Sequence, residues 1–173
     1  MSILEKFSRI KLLAFDLDGV LTNGKLLILP DGEWVREMDI KDGYALQHAT
    51  KSGLHIAVIT GSSSEPVGKR LNKLGIQEYF QNTGSKATVL QSLILKFNLQ
   101  QDEVLFMGDD IPDLEAFEVS GCKTCPADAV TEIIEKADYI SPQKGGDGCV
   151  RDVIEKVMKC RDIWMDSTNT QSI

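Results

Sequence analysis

The sequence predicts an α/β protein, a parallel sheet covered by helices on both faces. Short apolar runs alternate with segments of helical periodicity along all 173 residues, and such alternation implies crossover connections between parallel strands. Two of the runs, Ile10–Phe15 and Val104–Met107, end in acidic clusters, Asp16-Leu17-Asp18-Gly19 and Gly108-Asp109-Asp110. Ligands of open α/β sheets bind at the carboxyl ends of strands, so acids there have a use that acids inside a strand lack. A chain of this length buries roughly 70% of its unfolded surface as one domain. The expected architecture is Rossmann-like over 1–173, without a separate lid domain.

Met1 to Arg9 carries Glu5 and Lys6 and lacks a long apolar core, so it is not read as a signal peptide. Ile10–Phe15 is the first strand. Leu26–Leu29, Pro30-Asp31-Gly32 and Glu33–Ile40 then break the alternation and read as a hairpin spanning 24–40. A lone hairpin is marginal in water, and this one carries Leu26, Ile28, Trp34, Val35, Met38 and Ile40, so self-association around it is expected. Leu54–Ile59 is the next strand, followed by Thr60-Gly61-Ser62 and a helix start at Ser62–Ser64 with Glu65 and Pro66. Val89, Leu90, Leu93, Ile94 and Phe97 share a helical face, after which Val104–Met107 is a strand. Val119–Lys123 and Tyr139–Ile140 read as further strands. Val130, Ile133, Ile134 and Ala137 form one more helical face, and Val150, Val153, Ile154, Val157 and Met158 another. The end of the chain, 161–173, is expected to be a flexible tail.

Hydrophobic residues make up 42% and charged residues 26%, and the net charge is −7. That balance argues against nucleic acid and against a generic membrane surface, both of which reward basic patches. A small anionic substrate remains compatible, because a local Lys, Arg or Mg²⁺ reverses the field within a cleft. No apolar stretch approaches the roughly 20 residues of a membrane span. A cytoplasmic protein is expected. Cys122 and Cys125 have zinc-knuckle spacing, but Cys149 and Cys160 do not complete a ligand set, so all four read as reduced thiols.

Asp16 and Asp18 read equally as a site or as part of an Asp-Gly turn. As a site, one carboxylate attacks a substrate or holds a metal and the other moves a proton. Thr60 and the residues after it offer O–H and N–H donors to an oxyanion. Lys86, in Gly84-Ser85-Lys86, opens a helix without the earlier glycine of a P-loop. The late cluster, Asp109 and Asp110 with Asp113 beyond, would crowd like charges against the first one unless a cation sits between them, and oxygen ligands favour Mg²⁺. Asp110 and Asp113 also suit helix capping beside Pro112. His48 and His55 read as packing or surface residues.

With Asp16-Leu17-Asp18-Gly19, Thr60, Lys86 and Gly108-Asp109-Asp110 in that order, the chain resembles the phosphatases of the haloacid dehalogenase superfamily. The resemblance implies that Asp16 attacks phosphorus to form an aspartyl phosphate, while Asp18 protonates the leaving alcohol and then activates water. It implies that Thr60 and Lys86 hold the phosphoryl group. Mg²⁺ would be bound by the Asp16 carboxylate, the Asp18 backbone carbonyl and Asp109, with Asp110 supporting from behind.

The short length, the hairpin after the first motif, Lys41-Asp42-Gly43-Tyr44 and Gly145-Gly146-Asp147-Gly148 are similar to the 3-deoxy-D-manno-octulosonate 8-phosphate phosphatases. Those lidless enzymes act on a phosphorylated sugar acid as homotetramers in which a neighbour's hairpin covers each site. The resemblance implies a sugar-acid pocket lined by Asp39, Ile40, Lys41, Asp42, Gly43 and Arg70, with Gln47, Gly61 and Ser62 beside it. It also suggests that the glycine-rich segment with Arg151 orders the C-terminus. Many members carry Arg where this chain has Gln47 and Ser62, and an Asp where it has Ser85. A neutral Gln or Ser makes no charged bidentate contact. These departures leave a related nine-carbon sugar acid 9-phosphate as a competing substrate. A phospho-accepting receiver module is the alternative of a different class, but its paired acids come early and it has no use for Asp18.

Overall fold

The computed structural model describes residues 1–165. Six parallel strands form one sheet: β1 (Leu12–Phe15), β4 (His55–Ile59), β5 (Glu78–Phe80), β6 (Val104–Met107), β7 (Cys122–Cys125) and β8 (Tyr139–Ile140), ordered β5-β4-β1-β6-β7-β8. β1 is central because both its faces and both its edges are covered. Leu12 to Phe15 are fully buried, with Leu13 and Phe15 on one face and Leu12 and Ala14 on the other. The chain builds outward from β1 through β4 to β5, then crosses to β6 on the other side. The carboxyl ends of β4, β1 and β6 therefore stand side by side at the switch point.

Helices α1 (Ile3–Arg9), α2 (Ile40–Lys51), α3 (Glu65–Lys73) and α7 (Cys149–Cys160) contribute to the core on one face. Helices α4 (Lys86–Lys96), α5 (Leu114–Val119) and α6 (Thr131–Ile134) do so on the other. The periodic face of α7 is buried throughout, Val150, Val153, Ile154, Val157 and Met158 being fully inaccessible.

Several boundaries differ from the sequence reading. Ile10 ends α1 instead of opening β1, although it is buried. Within the hairpin only β2 (Leu27–Ile28) and β3 (Trp34–Val35) pair. The expected second strand stops short of Ile40 because Asp39 caps α2, its carboxylate accepting the Lys41 N–H at 2.6 Å. Val119 belongs to α5, and Gly121 lies so close to the backbone of Gln101 and Asp102 that no side chain fits there, so β7 starts at Cys122. Cys122, Cys125, Cys149 and Cys160 are free thiols.

The start of the expected tail packs on the domain through Arg161, Ile163 and Trp164, while Met165 is exposed. Ile163 N–H bonds Met158 O at 2.9 Å, Trp164 O meets His48 Nε2 at 2.8 Å, and the Arg161 guanidinium bonds Ile10 O. Residues 166–173 lie outside the described residues. Among the described residues no helix is long and apolar enough to cross a membrane.

Candidate active site

Asp16 leaves β1 in extended backbone, and the chain then turns sharply at Gly19, whose φ is +95°. Glycine is required there twice over. The left-handed backbone disfavours a side chain, and a Cβ would overlap the Asp109 carboxylate. A second strand of chain braces the turn from outside. Gly146 N–H bonds Val20 O at 2.9 Å, and a Cβ on Gly145 would collide with Gly19 O. The glycine-rich segment expected to order the C-terminus thus also packs directly on the Asp16–Asp18 loop.

Lys86 binds this loop to the far cluster. Its ammonium reaches Asp16 Oδ1 at 2.8 Å and Asp113 Oδ1 at 2.6 Å, and all three residues are buried. Asp113 Oδ2 accepts the N–H groups of Asp109 (2.9 Å) and Asp110 (3.3 Å), so this fully inaccessible carboxylate holds the loop after β6 as well. Asp113, rather than Asp110, stands behind the cluster. Asp110 is exposed, and its carboxylate accepts the Ile111 N–H at 2.8 Å. The spacing of three residues signals a helix cap, and only the fold shows that Asp113 faces inward.

Carboxylate oxygens of Asp16, Asp109 and Asp113 lie within 4.8 Å of one another. Burial, then repulsion from Asp113, pushes the Asp16 carboxyl up to about 7 against the pull of Lys86. Burial, then Asp16, Asp113 and Asp110, pushes Asp109 up to about 8. Asp109 Oδ1 is buried without a hydrogen-bond partner among the described residues. An orphaned carboxylate oxygen beside a second carboxylate and the Gly19 turn suits a hard divalent cation, which supplies the missing positive charge.

On the other side of Asp16, Ser62 Oγ donates to Asp18 Oδ2 at 2.9 Å and lies 3.0 Å from Thr60 Oγ1. Gly61 between them keeps its backbone beside Thr83. Arg36, which follows β3, forks onto Asp18, with Nε to Oδ1 at 2.6 Å and Nη2 to Oδ2 at 3.0 Å. Its Nη2 also reaches Ser62 Oγ at 3.2 Å. Burial would raise the Asp18 carboxyl, but the Arg36 fork and Ser62 hold it below the ordinary carboxylate value. Arg36 was invisible in the sequence, where one Arg in a hairpin of apolar and charged residues carries no signal.

The residues expected to line a sugar pocket gather around the start of α2. Ile40 and Lys41 are exposed, and the Arg70 guanidinium lies where a Cβ on Gly43 would be 2.7 Å from Nη2. Asp42 departs from the expectation. It is 1% exposed, and its Oδ1 accepts the Arg151 N–H at 2.7 Å, serving the first turn of α7, which begins at Gly148 without a side-chain cap. Gln47 is buried, and its Oε1 has no partner among the described residues. His48 stacks on Tyr44 and His55 on Phe97, both as packing residues.

Residues 39–127 match the haloacid dehalogenase-like hydrolase family, and the chain belongs to that family. Within it, the chain is 32% identical to the 3-deoxy-D-manno-octulosonate 8-phosphate phosphatase of Escherichia coli strain K12 over 99% of its own length and 90% of the relative's. The crystal structure of the Yersinia pestis phosphatase of the same name superposes with a TM-score of 0.93 at 29% identity, covering 99% of this chain and 92% of that one. The Moraxella catarrhalis phosphatase, solved with magnesium, phosphate and the sugar acid, gives 0.90 at 33% identity, covering 94% and 93%.

Proposed function

We propose that the chain is a Mg²⁺-dependent phosphomonoester hydrolase acting on 3-deoxy-D-manno-octulosonate 8-phosphate. The observation that carries this is Asp16, held by Lys86 on one oxygen, with Asp18 two residues on before the Gly19 turn and Asp109 packed against that turn. The similarity in sequence and fold to phosphatases of that substrate supports the choice of substrate.

An Asp16 carboxylate oxygen attacks phosphorus, forming an O–P bond while the bond to the leaving sugar oxygen breaks. Protonated Asp18 passes its proton to that oxygen. In the second half a water attacks the same phosphorus, Asp18 takes the water's proton, and the Asp16–phosphorus bond breaks to release phosphate. Lys86 and Thr60 hold the phosphoryl oxygens. The Asp16 carboxylate, the Asp18 backbone carbonyl and Asp109 would hold Mg²⁺, with Asp113 positioning the Asp109 backbone. The ion supplies charge neutralisation at the phosphoryl group.

The substrate-binding residues are Asp18, Asp39, Ile40, Lys41, Gly43, Gln47, Gly61, Ser62, Arg70 and Lys86. Chain 1–173 works as one domain, and its hairpin self-associates into a homotetramer. A kcat/KM ranking over phosphorylated sugars and sugar acids tests the substrate. The eight-carbon acid should lead, and a higher value for a nine-carbon sugar acid 9-phosphate would replace it. Release of many phosphates per protein excludes a receiver module.

A further inference from the structure

Arg36 is held in a way that an ordinary surface arginine is not. Its side chain is 2% exposed, although the hairpin around it is open to solvent. Its guanidinium takes both oxygens of Asp18, and the Ser62 hydroxyl takes one more N–H and the same Asp18 oxygen. Asp18 is the group that must meet the leaving sugar oxygen. With the fork in place, both Asp18 oxygens already accept hydrogen bonds from Arg36, one of them from Ser62 as well. A buried guanidinium stripped of its partner is strongly unfavourable, so Arg36 releases Asp18 only when another anion takes its place. A carboxylate reproduces the planar two-point geometry that Asp18 provides. Beside this contact, a cleft of about 700 Å³ opens between the hairpin and the start of α3, where Ser62 and Lys69 line it together with Glu33 and Glu65.

We propose that Arg36 is the specificity-determining residue of the site: it binds the carboxylate of the bound sugar acid, and that exchange frees Asp18 for proton transfer. The inference rests on the sugar-acid phosphatase reading above. It makes hydrolysis conditional on an acidic leaving group, since a neutral sugar phosphate brings no second anion to draw Arg36 away. Ser62, which carries no charge of its own, serves as the resting partner of an arginine supplied by the hairpin.

The test compares wild type, Arg36→Ala and Arg36→Lys on a sugar-acid phosphate and on an aldohexose 6-phosphate of the same phosphate chemistry. In Arg36→Ala, kcat/KM for the acid should fall on the order of 10- to 100-fold, mainly through KM, the loss expected for one charge-assisted bidentate contact. For the neutral sugar it should stay level or rise, so that the ratio of the two collapses. Arg36→Lys should recover part of the ratio. Competitive inhibition by the phosphate-free sugar acid should weaken in parallel in Arg36→Ala. An equal fall on both substrates assigns Arg36 to the phosphoryl group or to Asp18 alone and overturns the proposal, as does an unchanged ratio. A wild type that already fails to prefer the acid refutes the sugar-acid reading itself, before any variant is compared.

Discussion

Lys86 is held by two buried carboxylates at once, and this explains why one lysine among many becomes part of a site. Desolvation would lower its proton affinity, but Asp16 and Asp113 more than compensate and keep it a cation. Replacing Asp16 with Asn keeps the shape and removes the proposed nucleophile. Phosphate release should fall by roughly 10³-fold or more while circular dichroism stays unchanged. Asp113→Ala should lower kcat or metal affinity by about 10- to 100-fold, because Lys86 and the Asp109 backbone lose their common anchor. Wild-type activity in that variant would remove Asp113 from the site.

Asp42 makes a separate prediction, with the sign set by linkage. Burial, and to a lesser degree Asp39, raises its carboxyl to about 7, so the folded protein keeps a proton that the unfolded chain releases near 4. Its contribution to stability is therefore present at low pH and lost as the pH rises from about 4 through 7. Asp42→Asn does not titrate and still offers an acceptor to the Arg151 N–H. The melting temperature of the variant relative to wild type should rise between pH 5 and pH 8. A difference independent of pH would reject this account.

At the scale of the element, the hairpin is the part that the rest of the chain leaves uncovered. Leu27, Ile28 and Trp34 are 62%, 67% and 57% exposed on paired strands too short to stand alone. Association of copies through this face is the expected remedy. Ile28→Glu with Trp34→Glu should reduce the mass seen by sedimentation while the melting of the sheet domain is retained. A wild type of monomeric mass at every concentration would end the idea. The existence of the hairpin was legible from its alternation and its Pro-Asp-Gly turn. Its end was not, because Asp39 serves α2 as a cap and a strand reading cannot anticipate that competition.

At the scale of the whole molecule, acids from β1, the loop after β6 and α5's approach converge where the sheet reverses its winding. The charge they gather is unbalanced without a cation. Mg²⁺ should raise the melting temperature of chelator-treated protein, and the chelator should abolish hydrolysis reversibly. Metal-independent turnover would contradict the site drawn here. Asp16, Asp18, Thr60, Lys86 and Asp109 could be picked out as candidates because each lies within three residues of a strand's end or opens a helix, and because their motifs occur in a recognisable order. Asp113 resembled a cap, Asp42 a pocket residue, and Gly145 a piece of loop. Their roles depend on partners 27, 109 and 126 residues away along the chain: Lys86, Arg151 and Gly19 respectively.

By itself the sequence determined the parallel α/β architecture and the acidic ends of two of its strands, since periodicity and strand-end chemistry are local properties; the roles proposed for the reacting groups came from the order of four motifs taken together. Only the tertiary structure decided which acid stands behind the cluster, which loop braces the Gly19 turn and which arginine occupies Asp18. Those choices follow from desolvation: once buried, a carboxylate or guanidinium must find an opposite charge or a donor, and the fold alone sets which one is within reach.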